Sequence, residues 1–206
     1  MTPANIVIVD YGLANLRSVQ KAFEAVGVTA EITGDANRIA EAGKIVLPGV
    51  GAFRNAIAKL RECGVADAIV HHIQAGRSFL GICLGYQLLF TRSHEDGLHA
   101  GLDVLPGEVV PFAPAPGLKI PHMGWNTLHL TKPACPLFRG LPPAPSTYFV
   151  HGYYPSSLAE DVVAGTANYP GPFPAVIWRD NLFATQFHPE KSQTVGLQML
   201  KNFADL

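Results

Sequence analysis

Charged side chains are scarce in this sequence: Asp, Glu, Lys and Arg make up 15% of 206 residues, and the formal net charge is −1. No run of basic residues stands out, so neither nucleic acid nor an anionic membrane is an expected partner. Hydrophobic residues reach 48%. This balance excludes a disordered chain and favours a sheet that is buried on both faces.

Cysteine is also scarce, and the pattern of the cysteines excludes two classes of protein. The three residues are Cys63, Cys83 and Cys135. Their odd number, wide spacing and lack of a C-x-x-C pair argue against a disulfide framework and a thiolate metal site. The paired His71 and His72 are predicted to lie on a helix surface, and His94 and His99 have no further metal-ligating residues at a suitable spacing. We therefore predict no metal and no cofactor.

Apolar runs of membrane-spanning length are missing as well. The N-terminal stretch 1–9 is too short to cross a bilayer and leads directly into a predicted strand, so it does not resemble a signal peptide. Together with the cysteine pattern, this indicates a cytoplasmic protein.

The pattern of predicted secondary structure changes near the middle of the sequence. Before residue 102, short β-rich runs alternate with segments of helical spacing, which predicts a parallel sheet with helices on both faces. Beyond it, strand follows strand through proline-rich turns, so we expect a mixed or antiparallel C-terminal extension. The predicted strands are 5–9, 29–33, 44–47, 79–82, 103–110, 126–130, 147–153, 161–167, 175–179 and 182–187. With no repeat and no linker, the chain is predicted to be one three-layer α/β domain, residues 1–206.

The most informative motif is G-x-C-x-G at residues 81–85. It follows an apolar strand and precedes a predicted helix start at 86–90, as in the sharp strand-to-helix turn that presents a nucleophile. The two glycines suit a turn without room for Cβ atoms. A helix beginning at Leu84 would direct its N–H groups at the sulfur and favour the thiolate of Cys83. Alone, the pattern also fits a buried structural cysteine.

A second motif, Q-F-H-P-E at residues 186–190, supplies the partners that a nucleophilic thiol needs. His188 and Glu190 are two residues apart at the end of an apolar run, so in an extended chain they face the same side. The carboxylate can then orient the imidazole, and Cys83, His188 and Glu190 form a triad for covalent acyl transfer.

The turn P-G-V-G at residues 48–51 ends a predicted parallel strand at the edge where ligands of such sheets bind. Its glycines allow backbone N–H groups to approach a substrate closely. The N–H groups of Val50 and Leu84 are therefore predicted to form an oxyanion hole.

Taken together, these motifs resemble those of class I glutamine amidotransferases, which have a flavodoxin-like fold. Within that class, the segments V-D-Y-G (9–12), N-L-R-S (15–18), I-P-H-M-G-W-N (120–126) and Y-F-V-H (148–151) are similar to the glutaminase subunits of imidazole glycerol phosphate synthases. The resemblance covers the whole chain. It implies that Cys83 attacks the side-chain amide of L-glutamine and that His188 carries the proton to the departing ammonia. Glutamine would be held by Gly51, Gln87, Glu95 and His151.

The resemblance also implies a partner. In such enzymes a separate cyclase subunit, a (βα)8 barrel, receives the ammonia in a heterodimer. It makes imidazole glycerol phosphate and an aminoimidazole carboxamide ribotide, in histidine biosynthesis. The chain has no phosphate loop or nucleotide fingerprint of its own. The partner surface is placed around Asn15, Trp125 and Asn126, where Trp125 has the character of an interface anchor.

Several alternatives remain open from the sequence. A stand-alone cysteine hydrolase would use the same elbow without a partner. A binding protein that has lost catalysis would not need an intact triad. Glu95 fits either the ammonium group of a free glutamine or a solvated loop, and Trp125 fits either an interface or the core.

Overall fold

The computed structural model describes residues 6–206, so the first residue of the predicted strand 5–9 lies outside the described residues. Residues 6–206 contain six α-helices: α1 (Leu16–Ala25), α2 (Ala36–Glu41), α3 (Phe53–Glu62), α4 (Ala66–Gln74), α5 (Leu84–Gln87) and α6 (Gln193–Ala204). The strands of the first half are β1 (Ile6–Val9), β2 (Ala30–Thr33), β3 (Lys44–Gly49), β4 (Ser78–Cys83), β5 (Phe90–Ser93) and β6 (His99–Ala100). Those of the second half are β7 (Leu105–Pro111), β8 (His122–Thr127), β9 (His129–Leu130), β10 (Ser146–His151), β11 (Tyr153–Ser156), β12 (Val163–Asn168), β13 (Pro172–Arg179) and β14 (Leu182–Thr185).

A central sheet of eight strands organises the fold, in the order β2-β1-β3-β4-β14-β13-β12-β9. The first five of these are parallel, and β13, β12 and β9 continue the sheet in antiparallel pairing. The prediction of a parallel sheet with an antiparallel extension is therefore confirmed. Strands β3, β4 and β14 lie side by side, so their carboxyl ends meet at one edge.

Each face of the central sheet is covered by its own layer of helices. In β1, Ile6 and Ile8 join the core cluster that contains residues of α1 and α6, whereas Val7 and Val9 join the cluster that contains α2, α3 and α4. All four side chains are buried. Because successive side chains of a strand point to opposite faces, this division is what a three-layer α/β fold requires.

Two smaller sheets lie beside the central one. One has the order β11-β7-β5-β6, and the other pairs β10 with β8. The β10–β8 pair runs antiparallel and places His151 opposite His122. These sheets supply the residues that close the edge formed by β3, β4 and β14.

Two local predictions were wrong, and one helix was not predicted. The helix expected after Cys83 is one turn long, because the chain leaves it at Leu88 and enters β5. Helix α2 was not predicted from spacing; its signal is the cap at Asp35, whose carboxylate accepts the N–H groups of Asn37 and Arg38. His72 is not on the surface but fully buried, with Nε2 3.1 Å from the Ser78 carbonyl oxygen.

Candidate active site

Cys83 occupies the sharp turn that the sequence predicted. It is the last residue of β4, with φ 54° and ψ −107°, a conformation that L-residues rarely adopt. The turn leaves no space at Gly85, where a Cβ would lie 1.8 Å from the carbonyl oxygen of Leu47. The thiol is nearly buried, and its Sγ lies 3.9 Å from the carbonyl oxygen of Val150.

His188 and Glu190 form a buried pair. Nδ1 of the imidazole lies 2.8 Å from Oε1 of the carboxylate, and both side chains are almost fully buried. The two residues do not meet along an extended strand, as the sequence suggested, but across a 3-10 turn that begins at Pro189. Since a carboxylate only accepts, Nδ1 carries a proton and Nε2 is left for the substrate side.

The charge state of His188 is set by its two neighbours. Burial alone lowers the pKa of the imidazole, but the Cys83 sulfur and the Glu190 carboxylate outweigh it and raise that pKa to about 10. His188 Nε2 is buried without a hydrogen-bond partner among residues 6–206. It is therefore free to exchange a proton with the thiol or with a ligand.

The pocket around these groups encloses 180 Å³. A space of this size suits a ligand of amino-acid size. Its walls include eight of the predicted catalytic, oxyanion and glutamine-binding residues: Val50, Gly51, Cys83, Leu84, Gln87, Glu95, His151 and His188. Glu190, the ninth, lies behind His188.

The two predicted oxyanion donors differ in their present partners. Leu84 is the first residue of α5, so its N–H has no acceptor within the helix. The N–H of Val50 instead donates to the carbonyl of Leu13, 3.2 Å away. The pocket therefore offers the Leu84 donor now, whereas the Val50 donor is engaged elsewhere.

Glu95 brings a carboxylate to the pocket. It is half-buried, and its Oε2 accepts the N–H of Phe53 at 2.6 Å. Burial raises its pKa, the Phe53 N–H opposes this rise, and the neighbouring Asp96 adds to it. Glu95 is therefore a half-buried residue of the pocket wall and not a fully solvated loop residue.

Sequence reasoning missed Gln186, which is fully buried beside the thiol. Its Nε2 lies 3.9 Å from the Cys83 sulfur, and its Oε1 accepts Nε2 of Gln87 at 3.1 Å. Gln87 also donates to the carbonyl of Tyr153 at 2.9 Å. The available signal was a polar residue inside the apolar run 182–187.

The predicted partner-surface residues lie outside this pocket. Asn15 is exposed immediately before α1, and Trp125 and Asn126 lie on β8. Trp125 is 48% exposed, near the exposed Met123, so it does not belong to the core.

Neither a metal site nor a membrane span is evident in the part of the chain that the structure describes. No three His, Cys, Asp or Glu side chains come together there in a way that would hold a metal ion. Across residues 6–206, no helix is both long enough and apolar enough to cross a bilayer.

Comparison with known proteins places the chain in a family. Residues 7–206 match the family model "Glutamine amidotransferase class-I". Imidazole glycerol phosphate synthase subunit HisH of Syntrophotalea carbinolica is 54% identical over 98% of this chain and 100% of the relative. The subunit of the same name from Geobacter sulfurreducens is 51% identical over 98% of each.

Solved structures agree at the level of the fold. The structure of PurLQS from Thermotoga maritima has a TM-score of 0.71 at 19% identity, over 98% of this chain and 96% of that one. A crystal structure of a glutamine amidotransferase has a TM-score of 0.75 at 18% identity, over 98% of this chain and 99% of that one. The protein thus belongs to the class-I glutamine amidotransferases, in the group of the imidazole glycerol phosphate synthase subunit HisH.

Proposed function

We propose that the chain is the glutaminase subunit of an imidazole glycerol phosphate synthase, acting in histidine biosynthesis. It hydrolyses L-glutamine to glutamate and ammonia, and the ammonia passes to a cyclase subunit. The observation that carries this proposal is the strained Cys83 in one small pocket with His188 and its buried partner Glu190. The relatives named HisH, at about half identity along nearly the whole chain, favour this subunit over other amidotransferases.

The first half of the reaction uses the thiol as nucleophile. Because the pKa of His188 is raised, its Nε2 already holds the thiol proton, and Cys83 Sγ attacks the side-chain amide carbon of glutamine as a thiolate. The negative charge that develops on the amide oxygen is stabilised by the Leu84 N–H and by the Val50 N–H once that group is released. His188 then gives its proton to the nitrogen as the C–N bond breaks, and ammonia leaves a γ-glutamyl thioester.

The second half returns the enzyme to its starting state. Water attacks the thioester carbon while His188 accepts one of its protons. The C–S bond breaks, and the new carboxyl group loses its proton to solvent as glutamate departs. The sulfur is left as a thiolate beside protonated His188, as at the start. Glu190 keeps Nδ1 protonated throughout, so that Nε2 remains the exchanging nitrogen.

The substrate is oriented by its charged groups. The carboxylate of Glu95 binds the ammonium group of glutamine, and Gln87, Gly51 and His151 line the rest of the pocket. This placement explains why a free amino acid is the substrate, since a peptide has no free ammonium group at that position.

The partner is a cyclase subunit, and we propose that it is a (βα)8 barrel that forms a heterodimer with this chain around Asn15, Trp125 and Asn126. The chain works as a single domain, residues 1–206, in the cytoplasm. Ammonia is uncharged when the C–N bond of glutamine breaks, so direct transfer to the barrel protects it from protonation in bulk solvent.

The function is tested by measuring glutamate release with and without a purified cyclase subunit and its nucleotide ligand. We expect a low rate for the isolated chain and a large increase in the loaded complex. A vigorous rate that ignores the partner would indicate the stand-alone cysteine hydrolase instead. No glutamate release under any condition would indicate a binding protein.

A further inference from the structure

Two buried histidines outside the triad face each other across the β10–β8 pair. His122 and His151 are 4% and 6% exposed, and Nδ1 of His122 lies 3.2 Å from Nε2 of His151. His151 lines the active-site pocket, whereas His122 lies behind it. The proposed reaction does not use His122.

The two hydrogen bonds of the His151 ring together favour one position for its proton. Nδ1 of His151 lies 2.8 Å from the carbonyl oxygen of Tyr153, and a carbonyl only accepts, so Nδ1 carries the proton. Burial lowers the pKa of His151 to about 3, and the ring is therefore neutral near pH 7. Its Nε2 must accept, and the group that donates is Nδ1–H of His122.

The same reasoning fixes the proton on His122. Burial lowers the pKa of His122 to about 4, so this ring is also neutral and its Nε2 is an acceptor. Asn126 Nδ2 lies 3.3 Å from that nitrogen. The orientation of the Asn126 amide is set by two further bonds, since Oδ1 accepts the N–H of Thr127 at 2.8 Å and Nδ2 donates to the Asn168 carbonyl at 3.1 Å.

The chain of hydrogen bonds continues from His151 to the nucleophile. The Tyr153 carbonyl that accepts from His151 also accepts Nε2 of Gln87. Gln87 donates to Gln186, whose Nε2 lies near the Cys83 sulfur. Polar contacts therefore connect Asn126 on β8 with the thiol.

Aromatic packing holds the His122 ring in one plane. Tyr169 stacks on the ring with a centroid distance of 4.1 Å and an interplanar angle of 19°, and Phe149 stacks at 4.9 Å and 26°. The ring therefore has little freedom to turn its Nδ1–H away from His151.

We propose that His122 is a positioning residue for the glutamine site: its Nδ1–H holds His151 in the Nδ1-protonated tautomer and thereby fixes the Tyr153 carbonyl, Gln87 and Gln186 around the thiol. Without this donor, Nε2 of His151 is a buried acceptor without a partner, and the opposite tautomer loses the bond to Tyr153. The consequence for catalysis rests on the proposed glutaminase function, but the tautomer does not.

Two substitutions distinguish the effect of losing the hydrogen-bond donor of His122 from the effect of losing its ring. His122→Phe keeps a flat ring between Tyr169 and Phe149 but has no donor. His122→Asn loses the ring, yet its Nδ2 replaces Nδ1 and can still donate to His151. His129→Phe, at an exposed histidine of β9, is the matched control.

The first measurement is the ¹⁵N chemical shifts of the histidine rings in the full-length chain, which report the tautomer directly. We expect His151 to be protonated only at Nδ1 in the unsubstituted protein, in His122→Asn and in His129→Phe, and to be mixed in His122→Phe. Should His122→Phe fail to fold, Asn126→Leu serves instead, because loss of its donor allows the His122 proton to move to Nε2. Asn126→Leu is expected to mix the His151 tautomers too.

The second measurement is the glutaminase kcat/KM of the loaded complex, which we expect to fall about tenfold or more in His122→Phe and to recover largely in His122→Asn. An unchanged His151 tautomer in the donor-free variant would overturn the proposal, as would equal rates for the Phe and Asn variants. If the unsubstituted complex released no glutamate, the proposed function would fail while the tautomer result still stood.

Discussion

The N–H of Val50 donates to the carbonyl of Leu13 across 3.2 Å, although Val50 also lines the pocket of Cys83. Only the Leu84 N–H of the predicted oxyanion hole is therefore free of a competing acceptor. The peptide between Gly49 and Val50 lies in a confined place, because a Cβ on Gly49 would lie 2.5 Å from Oη of Tyr11. Glycine removes this obstacle to rotation of the peptide.

We predict that rotation of this peptide controls glutamine hydrolysis. The rate stays low until the partner binds and the peptide rotates. One missing oxyanion donor costs roughly 10²–10³ in rate. Partner and nucleotide binding need only favour the rotated state that presents the Val50 N–H to the pocket. The measurement is the glutaminase rate of the isolated chain, the bare complex and the loaded complex, and three equal rates would refute the switch.

A substitution at Gly49 tests the role of the same turn. Gly49→Pro should restrict the turn and disturb the basal rate, the stimulation by the partner, or both. If both rates stayed unchanged, the turn would have no part in the switch.

Loss of the base should be more damaging than loss of the acid that orients it. His188→Asn is predicted to lower the rate of acyl transfer by several orders of magnitude, because no other group stands ready to take the thiol proton. Glu190→Gln should lower it less, since orientation costs less than the base itself. Single-turnover kinetics with glutamine measures both, and Lys191→Gln, exposed beside the pair, is the control. A Glu190→Gln variant as slow as Cys83→Ala would reverse the assigned roles.

Glu95 should control the affinity for glutamine. Glu95→Gln removes the negative charge that the substrate ammonium needs, so KM for glutamine should rise. Asp96→Asn is the matched control, because Asp96 has φ 51° and asparagine tolerates that conformation.

The pH dependence of KM gives an independent check on Glu95. Because burial raises the pKa of Glu95, protonation weakens glutamine binding at a higher pH than for an ordinary carboxyl group. KM should therefore rise as the pH is lowered, and this rise should disappear in Glu95→Gln. An unaltered KM profile in that variant would place the ammonium site elsewhere.

Trp125 should anchor the partner. Truncation of a buried aromatic at the centre of an interface costs on the order of 2 kcal/mol, so Trp125→Ala should weaken the complex about thirtyfold. Leu98→Ala, at another exposed apolar residue, is the control. Titration of the labelled chain with the cyclase subunit measures both affinities. Equal affinities, with unchanged stimulation of glutamine hydrolysis, would remove Trp125 from the interface.

Much of the site was predictable because it depends on local geometry. The glycines on either side of Cys83 predict a turn that has no space for Cβ atoms. The alternation of strands and helices predicts that this turn lies at the carboxyl edge of a parallel sheet. Residues 81–85 and 186–190 are far apart in sequence, yet the parallel pairing of β14 with β4 brings them together.

The rest depends on contacts that no local pattern encodes. The short α5 results from the early return of the chain into β5, which pairs with the distant β7. The hydrogen bond from Val50 to Leu13 depends on how two separate loops pack together. The contact between His122 and His151 depends on the register in which β8 pairs with β10. The sequence shows Gln186 only as a polar residue within an apolar run. Its two partners, Gln87 and Cys83, come from another segment, so no local pattern indicates its role.

The central claim is that Cys83 forms a thioester with glutamine and that the partner uses the ammonia released. The most direct test compares synthesis by the complex from glutamine with synthesis from ammonium salts, for Cys83→Ala and for Cys63→Ala, whose exposed thiol is the control. We predict that Cys83→Ala abolishes synthesis from glutamine and leaves synthesis from ammonium intact, while Cys63→Ala changes neither. Glutamine-dependent synthesis that survives in Cys83→Ala would contradict the account.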